Sequence, residues 1–113
     1  MAKLIPFAST GSPQINVPLG RRLVVETLCV QVDVTPPGSK LETFVTYTCN
    51  GQSITLFVPV TYHYTEPGTG FDFFIGMESV RLYPDPGTSM AVSIHSPTGS
   101  GGTLFLTVSG QLI

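Results

Sequence analysis

His63 and His95 are the only imidazoles in the chain, and neither stands where a nucleophile, a metal ion or a proton relay would need one. They lie in Tyr62-His63-Tyr64 and Ile94-His95-Ser96, with no His-x-His pair and no acid at zinc-site spacing beside either. No serine is flanked in the Gly-x-Ser-x-Gly manner, and a hydrolase would need a base that the sequence does not place. The carboxylates Glu66, Asp72, Glu78 and Asp85 fall in or beside loops. They are too dispersed to offer calcium its six to eight oxygens, and they read as turn-stabilising and solubilising acids, with Asp85, between two prolines, as an Asx-type turn former. Cys29 and Cys49 read as reduced thiols behaving as small apolar residues. The expectation is a protein with no catalytic residue, no metal and no cofactor.

Two constellations remain. Glu26 breaks the pattern of a strand, because counting back by twos from Leu28 puts its carboxylate on an otherwise apolar face, where a lone charge is costly. Arg81, in the charge-poor stretch Val80-Arg81-Leu82-Tyr83, is the natural counter-charge. The pair is expected to meet inside the domain or at a subunit contact. The second constellation is Tyr62, Tyr64, Phe71, Phe73 and Phe74, gathered around a Glu-Pro-Gly-Thr-Gly loop. Phe71 and Phe73 alternate as core residues would. The cluster otherwise suits the centre of a subunit interface, where Tyr and Phe are enriched, or a stacking platform for sugar rings. Subunit contact is favoured because Trp, common in sugar sites, is absent.

The elements that must position these residues are strands. Pro, Gly, Asn and Asp cut the chain at Pro36-Pro37-Gly38, Asn50-Gly51, Pro67-Gly68, Pro84-Asp85-Pro86-Gly87 and Pro97-Thr98-Gly99, leaving segments of strand length and no helical periodicity. Leu28, Val30, Val32 and Val34 alternate with polar residues, and Asn50-Gly51 is the signature of a two-residue hairpin. After it, Ile54, Leu56, Val58, Val60, Tyr62 and Tyr64 read as one face of a single strand, with Pro59 marking an edge or bulge. Segments 71–75, 79–83, 90–94 and 103–108 read as further separate strands, and with 14–17 about eight strands result. The expected fold is all-β, a jelly-roll-like two-sheet antiparallel sandwich, in one domain over residues 13–113. Residues 1–12, rich in Ser, Thr, Gly and Pro, read as an extended N-terminal arm.

Only 11% of the 113 residues are charged, and Ser and Thr outnumber Asp, Glu, Lys and Arg by 24 to 12. A free monomer usually carries a more strongly ionised exterior, so much of this surface is expected to face protein. With five Lys and Arg and a net charge of −2, the chain lacks the basic patch that nucleic acid demands. No apolar run is long enough for a membrane span, and the first residues hold too short a run for a secretory signal.

Val17-Pro18-Leu19-Gly20-Arg21-Arg22-Leu23-Val24-Val25-Glu26, Val80-Arg81-Leu82-Tyr83-Pro84-Asp85-Pro86-Gly87-Thr88 and Val108-Ser109-Gly110-Gln111-Leu112-Ile113 resemble the pattern of small β-sandwich proteins of bacteria and their phages. In size, low charge and loose arm the chain is also similar to phage capsid decoration, or cement, proteins. That likeness implies a non-enzymatic virion protein on the capsid surface, made in the host cytoplasm. Its partners would be itself, as a homotrimer, and the major capsid protein, with no role for nucleic acid or membrane. Leu4, Ile5 and Phe7 of the arm would add a strand to a neighbour's sheet edge. The competing expectation is a lectin-like carbohydrate-binding module built on the aromatic cluster.

Overall fold

The computed structural model describes residues 5–113. Nine strands follow in order: β1 (Ile5–Gly11), β2 (Gln14–Asn16), β3 (Leu23–Thr35), β4 (Glu42–Cys49), β5 (Gln52–Phe57), β6 (Thr61–Thr65), β7 (Asp72–Leu82), β8 (Ser89–His95) and β9 (Ser100–Leu112). One sheet runs β1-β9-β3-β7-β6 and the other β2-β8-β4-β5. The antiparallel pairs are nested: β4 with β5, β3 with β7, β2 with β8 and β1 with β9. A long hairpin rolled upon itself gives this order, and it is the jelly roll, with β6 added at one edge.

The hairpin at Asn50-Gly51 forms as its sequence requires. Both residues have positive φ, 52° and 76°, the backbone of a type I′ turn whose twist matches the flanking strands. Between the sheets lie Leu23, Val25, Leu28, Val30 and Val32 of β3, Val45 of β4, Met90 and Val92 of β8, and Leu106 and Val108 of β9, all but sealed from water. Each such side chain contributes on the order of 1.5–3 kcal/mol by leaving water. Cys29 and Cys49, on different sheets, are free thiols.

The strand map departs from the sequence reading in three places. The run Ile54 to Tyr64 is two strands in different sheets, β5 and β6, because the chain crosses the sandwich at Val58-Pro59-Val60. Segments 71–75 and 79–83, read as separate, belong largely to one strand, β7. Gly76 sits where the crossover passes β7, and a Cβ there would collide with the Pro59 carbonyl. Residues 5–11, read as an arm, are β1, paired with β9 from Ile5↔Leu112 to Gly11↔Leu106. Phe7 packs on the core, so this segment already has a sheet edge to occupy in its own chain. Leu4 lies outside the described residues.

Candidate functional site on the outer face of the five-stranded sheet

Glu26 does not point into the core; it is exposed. The inward residues of β3 change phase, from Leu23 and Val25 to Leu28 and Val30, and Glu26 is the extra residue of a bulge against β9, where Val25↔Gly110 is followed by Thr27↔Ser109. Its neighbour β7 carries a compensating irregularity, with Val25↔Leu82 followed by Thr27↔Ser79. Arg81 is also exposed, and the two residues line one open depression of about 250 Å³ with Val24, Tyr83, Gln111 and Ile113. They share the site without forming an ion pair. Among the described residues the ion pair is Arg22 with Asp85, at 3.2 Å.

The aromatic residues divide. Phe74 packs against the core, and Tyr62 meets it edge to face at 5.8 Å across β6 and β7. Tyr64 and Phe73 stack on each other at 4.8 Å with ring planes 3° apart, so each covers one face of the other. Phe71 is half-buried and lies against Gly102, where an added Cβ would reach its ring. A sugar platform needs free, co-facial rings, and the Tyr64–Phe73 stack covers part of that surface.

Phe73 faces outward together with residues the sequence reading did not single out. Gln31 of β3 pairs with Phe105 of β9 on one side and Ile75 of β7 on the other, and Cys29 pairs with Thr107 and Met77 in the same way. Alternation puts these side chains on the outer face of the five-stranded sheet. Phe105 is 43%, Ile75 38% and Met77 69% exposed. The signal was present in the sequence as apolar residues on both parities of β7, but which parity faces water depends on where the chain crosses. Ala8, Ser109, Thr27 and Ser79 occupy the middle of this face toward the Glu26 depression, with the Thr10 and Thr107 hydroxyls 2.8 Å apart beside them.

The carboxylates at the ends of the sandwich are structural. Asp72 is buried, accepting from the Thr65 hydroxyl and from the Gly38 amide at 2.7 Å. Those two bonds, the hydroxyl's first, hold its carboxyl below the usual range. Buried Asp33 accepts from the Thr103 amide. Asp85 does not close a turn with its own carboxylate as an Asx residue would. It reaches across to the β4–β5 hairpin, accepting from Gly51 and Asn50 amides at 2.8 and 2.9 Å, and from Arg22. These partners, Gly51 first, lower its pKa. His63 and His95 are both exposed, on different sheets, and no group of three His, Cys, Asp or Glu side chains among the described residues is placed to hold a metal ion.

The outer face of the five-stranded sheet thus carries exposed apolar residues at one end and the Glu26–Arg81 depression at the other. Compared with known proteins, the chain matches no family model and no curated protein.

Proposed function

We propose that the chain is a non-enzymatic structural protein of the virion, a capsid decoration or cement protein that self-associates, as a trimer by its resemblance, and stabilises the shell of the major capsid protein. The observation that carries this reading is the apolar end of the outer face, where Ile75 and Met77 of β7 and Phe105 of β9 stand exposed on either side of Gln31 and Cys29 of β3. Isolated exposed apolar residues need no explanation, but three large ones gathered at one end of a sheet face, in a chain with so few charges, favour a protein contact. Jelly rolls serve in capsids and in lectins alike, so the fold supports the assignment only by analogy.

Attachment through a free arm is revised. With β1 committed to β9, strand addition to a neighbour would require β1 to leave its own sheet, and the outer face becomes the contact surface instead. Sedimentation of the whole chain against Ile75→Lys and Met77→Lys tests self-association: the native chain is expected to sediment as an oligomer and the variants as monomers. A native chain that stays monomeric at high concentration overturns it. Mass spectrometry of purified virions from the host that carries the gene tests the capsid assignment, and absence from the particle overturns that part.

A further inference from the structure

We propose that the depression bounded by Glu26, Arg81, Tyr83 and Gln111 is a binding site for a single neutral sugar ring. It lies at the other end of the outer face from Ile75 and Phe105, roughly 17 Å away along β3 from Glu26 to Gln31 at the rise of a strand, and it stands independently of the assembly surface.

Its walls are rigid. Val24 and Glu26 come from β3, Arg81 from β7, and Gln111 from β9, three neighbouring strands of one sheet, while Tyr83 directly follows β7. Ile113 is tied down by reciprocal backbone bonds with Arg22, 2.9 Å from its amide and 3.3 Å to its carbonyl. The register irregularities of β3 against β9 and against β7 both fall here, with Glu26 outward at the bulge and Arg81 outward in the unbroken alternation of β7. Bulges re-aim side chains in this way at the rims of functional sites.

The chemistry of the walls selects the ligand. Glu26 only accepts hydrogen bonds, Arg81 only donates, and Gln111 and the Tyr83 hydroxyl do both. No side-chain hydrogen bond or ion pair joins any of the four to another described residue. Among the lining side chains one acid and one base offset each other, so an anion or a cation is attracted by one group and repelled by the other. A hydroxyl can donate to the carboxylate while accepting from the guanidinium, and a ring bearing neighbouring hydroxyls uses both at once. Val24, Ile113 and the Tyr83 ring supply an apolar surface for the C–H face of such a ring. A small zwitterion would rely on two exposed ion pairs, which are individually weak. The volume lies just under the roughly 300 Å³ at which drug-sized sites begin, which limits the occupant to one ring.

The test is amide-resolved NMR titration of the whole chain with glucose, galactose, mannose, fucose and N-acetylglucosamine, and with glycine as the zwitterion control, into the millimolar range. At least one sugar is expected to shift the signals of Val24, Glu26, Arg81, Tyr83 and Gln111. Arg81→Met and Tyr83→Ala should each weaken that binding about tenfold or more, with thermal midpoints unchanged because both side chains are exposed. Gln111→Leu serves as a second probe should either variant unfold. Silence across all five sugars, shifts centred on Tyr64 and Phe73, affinity indifferent to the substitutions, or a response to glycine alone would each overturn the assignment.

Discussion

The carboxylate of Asp85 accepts a hydrogen bond of 2.8 Å from the Gly51 amide, so the loop after β7 holds the tip of the β4–β5 hairpin. A second bond, from Asn50, makes the grip bidentate, and the Asp85 amide returns one to the Thr48 carbonyl at 2.8 Å. Because these contacts favour the ionised form, the folded state has the lower pKa. Their stabilisation is fully present above the carboxyl pKa of the unfolded chain, near 3.9, and disappears as pH falls through the lowered folded value. The thermal midpoint of the native chain should therefore drop on acidification below about pH 5. In Asp85→Asn the midpoint should be lower at neutral pH and the acid slope shallower, with Asp72 supplying the remainder. Calorimetry across pH checks both.

Thr43 carries a hydroxyl that is sealed in the core without a hydrogen-bond partner. Thr43→Val keeps the shape and removes the unsatisfied group. It should stabilise the protein by about 1 kcal/mol, read as a rise in denaturant midpoint at unchanged slope.

Gly76 permits the crossover between sheets. Gly76→Ala drives a methyl into the Pro59 carbonyl, a backbone atom that cannot swing aside. A loss of about 2 kcal/mol or more is expected in chemical denaturation.

Phe7 distinguishes an edge strand from a dispensable arm. Phe7→Ala removes a half-buried ring from the core and should destabilise the domain by about 1–3 kcal/mol. Deleting residues 1–12 should lower the thermal midpoint further, since it bares the β9 edge. A truncated chain as stable as the whole would show β1 to be energetically idle.

Local chemistry was legible in the sequence and long-range placement was not. Asn50-Gly51 announced its hairpin, and the Val30, Val32, Val34 alternation announced a half-buried strand, because both signals are complete within a few residues. Glu26 misled because its face was inferred from Leu28 alone; Leu23 and Val25 have the opposite parity, and only a bulge reconciles the two runs. The alternation from Ile54 to Tyr64 is unbroken in sequence although the chain changes sheet within it, since periodicity records which side chains alternate and not which partner strand lies alongside. β1 was missed because its partner is at the far end of the chain. The candidate surface was half visible: the aromatic cluster was found, whereas Ile75 and Phe105 counted as ordinary strand residues and Met77 fell between two segments until pairing with Gln31 and Cys29 showed them on the wet side.

The central position of β9 sets an order of events during synthesis. It lies between β1 and β3, which are made early and have no partner in that slot until Ser100–Leu112 emerges from the ribosome. Completion of this sheet therefore waits for β9, and nascent chains that lack it present two waiting strand margins to each other. Crowded polysomes would be the setting in which one copy's last strand inserts into a sibling.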